Sequence, residues 1–279
     1  LPAQRPGFSL KGKQVWSSCD VSRFRLRLES YKRDKRKGVS KASYYDAIGV
    51  DLLSTTTRLD HVARFINFET FRQDYLKGDE KSWRHGLPAF FVVNFQLPLY
   101  EPSIWGASDG PGVSLVFYFR LTREGIRMAQ EEKGPSLLLK RFCGAAGVSG
   151  RAESEIHSRW KNIVHINNKD TLNLSFVTKN LVQQFSGKPF LTRSKKHIFR
   201  TESYLEVDIN QHTSNYVKKR TVFNLKEHLA SMSLDVGFLV EAQEENEMPE
   251  RLIGSVTLKG LDYERHAVDV EWNRIVTPS

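Results

Sequence analysis

The stretch from Pro88 to Thr122, PAFFVVNFQLPLYEPSIWGASDGPGVSLVFYFRLT, constrains the fold more than any other part of the chain. Two runs rich in β-branched and aromatic residues flank a connection of Pro, Gly, Ser and Asp, the pattern of two long strands joined by a loop. On the first run Phe91, Val93, Phe95 and Leu97 share a face; on the second Leu115, Phe117, Phe119 and Leu121 do. A strand places alternate side chains on opposite sides, so these eight residues make one dry surface. The other side mixes Phe90, Val92 and Val116 with Asn94, Gln96, Ser114, Tyr118 and Arg120. Such a half-polar face either meets water, the commoner outcome for an antiparallel sheet, or lines a cavity in which Asn94, Gln96, Tyr118 and Arg120 orient a lipid-like ligand.

At 279 residues, 39% of them hydrophobic, the chain can bury a full core. It contains no run approaching the roughly 18 apolar residues of a membrane span. The opening LPAQRPGFSL lacks the layout of a signal peptide, and a start at Leu1 rather than methionine suggests a piece excised from a longer protein. Cys19 and Cys143 are far apart and in unlike contexts, which points to a reducing, cytoplasmic compartment rather than a disulfide framework. A net charge of +10 favours an anionic partner: nucleic acid, a membrane surface or an acidic protein.

That charge is concentrated near the start. In SRFRLRL, Phe24, Leu26 and Leu28 alternate with Arg23, Arg25 and Arg27, a half-buried strand with three arginines on its outer face. It leads into ESYKRDKRKG, where Lys32, Arg33, Lys35, Arg36 and Lys37 are opposed only by Glu29 and Asp34. The eight cations are expected to form an anion-binding face; the plainer reading is a solvated loop. The aromatic residues sit at core-like spacing rather than between the basic ones, which makes nucleic acid the least favoured partner.

No catalytic motif stands out. Asp51, Asp60 and His61 lack a nearby nucleophile or oxyanion loop, so structural roles are expected for them. His157 and His165 are not at metal-ligand spacing, and the GKP at Gly187 is not a phosphate loop. Glu241, Glu244, Glu245, Glu247 and Glu250 read as a solvated acidic turn, because calcium loops need regular oxygen spacing and a glycine absent here. No enzyme activity, cofactor or metal is expected. Elsewhere the pattern predicts a polar helix over 124–133, a second helix opened by Pro135, a short helix carrying Leu181 and Phe185, a strand at YLEVDIN, and a helix at FNLKEHLASM opened by Asn224.

The succession FRLRLESYKRDKRKG, DAIGVDLL, RLDHVARF, FFVVNFQLPLY, DGPGVSLVFYFRLT, WKNIVHINN, LVQQFSGKPFLTR, YLEVDI and LDVGFLVEAQEENEMPERLIGSVTL resembles the C-terminal domain of the plant Enhanced Disease Resistance 2 family. The resemblance runs from about Phe24 to Leu261; the regions Asn67 to His85 and Arg193 to Arg200 depart from it. It implies a setting downstream of a pleckstrin-homology domain and a START-type domain, near phosphoinositide-bearing membranes and in negative control of cell death. It brings no catalytic residues. The expected architecture is α+β: one domain over 1–279, with a curved, mostly antiparallel sheet of roughly seven to nine strands, a few short helices packed on one face, and a helix-grip arrangement as one version. The expected function is a non-enzymatic regulatory module, peripheral to a membrane, that recognises anionic lipid or holds a lipid-like ligand. The alternatives are a protein-interaction domain and an enzyme with an unrecognised site.

Overall fold

In the computed structural model the described residues are 9–10, 13–71, 83–103, 109–144, 150–173, 179–180, 182–183, 186–191 and 196–270. In chain order the elements that build the fold are β1 (Trp16–Ser18), β2 (Arg25–Arg27), α1 (Tyr31–Asp34), β3 (Lys37–Val39), β4 (Tyr45–Thr55), β5 (Phe90–Pro98) and β6 (Gly112–Leu121). Then come α2 (Arg123–Gln130), α3 (Gly134–Phe142), α4 (Gly150–Ser158), β7 (Trp160–Ile166), β8 (Pro189–Leu191), β9 (Lys196–Arg200) and β10 (Tyr204–Asn210). The chain closes with α5 (Tyr216–Lys226), β11 (Ser233–Val240), β12 (Leu252–Lys259) and β13 (Val268–Asp269).

The class is α+β, with mostly antiparallel pairing. Among the described residues the main strands form two sheets instead of one, a larger in the order β9-β10-β5-β6-β4-β13 and a smaller in the order β8-β7-β11-β12-β1, beside three two-stranded pairs. The long strands β5 and β6 pair antiparallel with Phe117 opposite Val93 and Phe119 opposite Phe91. β10 joins β5 in parallel, Asp208 opposite Asn94, and β13 joins β4 in parallel. Irregular register at Tyr118/Phe119 and at Phe238/Leu239 bends both sheets.

A second sheet, rather than a gripping helix, covers the dry surface read from the sequence. Phe91, Phe117 and Phe119 pack with Trp160 and Phe238 of the smaller sheet in one buried cluster. Phe238 meets Phe117 and Phe119 edge to face, with ring centroids 5.3 and 5.7 Å apart, the geometry that aromatic quadrupoles favour. Gly254 lets this contact close, since a Cβ there would stand 2.6 Å from the Phe119 ring.

α2 directly follows the Leu121 end of β6, and α3 packs beside it. Thr122 caps α2 by accepting the Gly125 N–H at 2.8 Å. Pro135 opens α3 and Gly144 follows it in the left-handed region, as the sequence predicts. The last predicted helix differs. It spans Tyr216–Lys226 and is opened by Asn215, whose side chain accepts the Lys218 N–H. Leu181 and Phe185 lie outside the described residues.

Candidate functional site: a basic hairpin and a covered polar face

β2 and β3 pair antiparallel, Arg25 opposite Val39 and Arg27 opposite Lys37, with the single turn of α1 between them. Phe24 and Leu26 anchor this hairpin in a cluster with Ile163, Leu239 and Leu252 of the smaller sheet. The predicted outer face of three arginines is only partly realised. Arg23 lies in a separate 3-10 turn, where its Nη1 donates to Asp235 Oδ2 at 2.8 Å. Arg27 turns inward: Nη2 donates to Glu241 Oε1 at 2.8 Å, Nη1 donates to the Ala242 carbonyl at 2.7 Å, and Nε stands 3.6 Å from Glu250. Lys32 donates to the Gln243 carbonyl at 2.6 Å and is 3.8 Å from the exposed Glu244.

Arg25, Arg33, Lys35 and Arg36 remain exposed, with Lys37 half-buried beside them. Arg25 braces the hairpin by donating to the Lys37 carbonyl, and Lys35 sits over the Tyr31 ring. Val39, on the same hairpin, is 50% exposed. The structure thus splits the eight predicted cations. Two are held by buried carboxylates, and the others cluster on one projection.

The glutamates of 241–250 depart from the expected solvated turn. Glu241, Glu247 and Glu250 are buried; only Glu244 and Glu245 face water. Lys161 Nζ lies 2.5 Å from Glu250 Oε1 with both side chains almost wholly enclosed, and burial pushes the Lys161 ammonium down against the attraction of Glu250. Glu247 meets Arg159 at 2.9 Å and accepts the backbone N–H groups of Gln243 and Glu244. Burial alone would raise its pKa, but those N–H groups and Arg159 hold it below the usual range. Among the described residues no three His, Cys, Asp or Glu side chains are grouped as metal ligands.

Among the described residues the half-polar face of β5 and β6 is covered rather than open to bulk water, with Asn94, Gln96 and Tyr118 all buried. The segment after β4, from Arg58 to Phe71, lies across it. Asn94 Nδ2 donates to the Leu59 carbonyl at 2.9 Å and to Asp208 Oδ1 at 3.1 Å, while Gln96 Nε2 donates to the same carbonyl at 2.8 Å and to Asp60 Oδ1 at 2.6 Å. Asp60 is clasped by Arg58 at 2.8 and 3.0 Å; burial would raise its pKa, and these partners bring it down. Arg120 reaches out to the Phe71 carbonyl at 3.0 Å. Phe68 stacks on Phe90, 4.7 Å between centroids, closing an apolar cluster with Val92, Val116 and Tyr118.

Tyr118 faces Asp51, whose carboxyl is pushed up to about 6 by burial, with the tyrosine hydroxyl acting the other way. The crevice that Tyr118 and Asp51 share with Ile48, Ile66, Phe68 and Phe71 measures about 10 Å³, room for a water molecule rather than a ligand.

Glu206 and Asp208, not singled out in the sequence, complete this arrangement. The pattern of YLEVDIN suggests an outward polar face, yet both carboxylates are buried. Glu206 accepts the N–H groups of Val62 and Ala63, and Asp208 accepts that of His61, each at 2.8 Å. His61 adopts the left-handed region at φ 55°, bonds Tyr204 through Nε2 at 2.8 Å and stacks on Phe199. Burial, and secondarily Arg64, lower its pKa. The readable signal was that the polar side of YLEVDIN matches that of FFVVNFQ when the strands lie parallel. Asp60 and His61 both hold the segment to the sheet, Asp60 through Gln96 and His61 through Tyr204 and Asp208.

A family model described as "Protein ENHANCED DISEASE RESISTANCE 2, C-terminal" matches residues 16–262. A curated relative, "Protein ENHANCED DISEASE RESISTANCE 2-like" of Arabidopsis thaliana, is 28% identical over 257 residues, covering 90% of this chain and 29% of the relative. The chain therefore spans under a third of that relative's length. No solved structure matches. With the ordered motifs from FRLRLES to LIGSVTL falling inside the matched region, the chain belongs to the family of Enhanced Disease Resistance 2 C-terminal domains.

Proposed function

We propose that this is a non-enzymatic regulatory domain that docks on anionic membrane surfaces through the β2–β3 hairpin. One observation carries the reading: Arg25, Arg33, Lys35 and Arg36 project together from a hairpin anchored by Phe24 and Leu26, with Val39 exposed beside them. Each basic side chain near an anionic leaflet contributes on the order of 1 kcal/mol, and a small apolar residue can enter the headgroup boundary. Four to six such cations give binding that is useful, reversible and sensitive to salt. No described helix is long and apolar enough to cross a membrane. Peripheral contact is thus the mode that the charge distribution suits.

A regulatory rather than catalytic role fits the engagement of the acid/base candidates. Asp60, His61, Glu206, Asp208, Glu241, Glu247 and Glu250 are bonded to the chain's own cations or backbone. The name of the matched relative agrees with a part in disease resistance. An enclosed lipid-like ligand, and a partner protein in place of a membrane, gain no comparable observation.

The test is flotation with phosphatidylcholine vesicles, with and without phosphatidylserine, at low and physiological salt. The chain should float with anionic vesicles only, and Arg33→Glu with Arg36→Glu should reduce that fraction several-fold with the melting temperature unchanged. Full binding by this folded variant overturns the proposal.

A further inference from the structure

A second surface of different construction lies at the far end of the two sheets. The hairpin is tied by Arg27 and Lys32 to the turn between β11 and β12, where Ser43 bridges to Leu252, next to the Tyr45 end of β4. α5 instead follows Asn210, the register partner of Gln96, beside the Pro98, Gly112 and Thr55 ends of β5, β6 and β4. The length of β4 separates the two ends, roughly 30 Å at about 3.3 Å per residue.

α5, YVKKRTVFNLK, holds to the body through Val222 and Leu225 and through the buried stem of Lys219. Its first turn points the other way. Tyr216 is 40% and Val217 68% exposed, two adjacent members of the four large hydrophobics exposed among the described residues. The turn carries no acidic residue, so the positive end of the helix dipole is uncompensated there. Lys218 is exposed beside Val217. The neighbouring acid, Glu101, is matched by Arg220 at 2.5 Å.

An exposed tyrosine and valine beside the exposed Lys218 suit the boundary of an anionic bilayer, where rings and methyl groups enter and the ammonium group stays with the phosphates. Two side chains are too small a core for a stable protein interface, which needs on the order of 1,000 Å². Nucleic acid would use the lysines and leave Val217 without a partner.

We propose that the first turn of α5, Tyr216 and Val217 with Lys218, is a second anionic-membrane contact, and that the domain bridges two membranes. The α5 contact stands on its own observations; the bridging rests also on the reading of the hairpin.

The test pairs flotation with light scattering of phosphatidylcholine/phosphatidylserine vesicles mixed with the full chain. Wild type should cluster these vesicles and leave neutral ones dispersed. Val217→Asp with Lys218→Glu should still float, through the hairpin, while clustering falls several-fold; Val217→Ser, a milder change, should lower it in part. Arg33→Glu with Arg36→Glu should float several-fold less, its remaining binding through α5, and should not cluster. Wild type that floats but never clusters overturns the inference, as does an α5 variant that clusters like wild type. Loss of all flotation in the hairpin variant removes the α5 contact while the hairpin stands. Flotation that depends on α5 alone supports the α5 contact and removes the hairpin.

Discussion

Glu206 and Asp208 stand two residues apart on one face of β10, and together they hold the turn at His61, Val62 and Ala63 by three backbone N–H groups. Burial, and after it the charge of Asp208, keep Glu206 well above the usual carboxylate range, while burial, opposed by the hydrogen bonds from Glu206, His61 and Asn94, brings Asp208 to about 6. This pair decides what covers the half-polar face of the larger sheet.

The pair makes stability depend on pH with a definite sign. Both groups bind protons more tightly folded than unfolded, so their contribution is complete below about pH 4 and is lost as pH rises through the folded values, at a scale of about 1.4 kcal/mol per pKa unit. Glu206→Gln cannot titrate. It should be less stable than wild type in urea at pH 5, and the gap should narrow by pH 8. A gap that widens would show that both carboxylates are ionised in the fold.

Removing Glu250 should cost more than removing its partner. Glu250→Gln leaves Lys161 enclosed and Arg27 short of a countercharge, an expected loss of about 3–5 kcal/mol. Lys161→Met leaves Glu250 beside Arg27 and should cost clearly less. Chemical denaturation of both variants checks the order.

Arg27 and Arg36 should separate stability from membrane binding. Arg27 is held by Glu241 and Ala242, whereas Arg36 is exposed. Arg27→Ala should lower the melting temperature by several degrees. Arg36→Ala should stay within about 0.5 kcal/mol of wild type and weaken vesicle flotation. The reverse pattern would contradict the division of the basic cluster.

Gly125→Ala should destabilise although alanine is the better helix former. A Cβ at this position of α2 would stand 2.1 Å from the Tyr44 carbonyl oxygen, and backbone cannot move aside as a flexible side chain can. The expected net cost is about 1–3 kcal/mol by thermal unfolding, overriding a propensity gain of about 1 kcal/mol.

The sequence by itself determined the local physics. Alternation alone identified Phe91, Val93, Phe117 and Phe119 as one dry face, because a strand turns alternate side chains to opposite sides whatever lies beyond. The same rule placed Leu26 inward and Arg25 outward, and Pro135 and Gly144 marked helix ends by chemistry acting within one turn. Tertiary structure decided where each polar group finds its partner. Arg23 meets Asp235, Arg27 meets Glu241, Lys161 meets Glu250, and Asn94 meets Asp208, all across separations of 89 residues or more. A charge in a strand reads as solvent-facing until an opposite charge is brought to it. The parallel placement of β10 on β5 and the fold-back after β4, which put Asp208 and Leu59 over Asn94, arise from long-range pairing that no local period encodes.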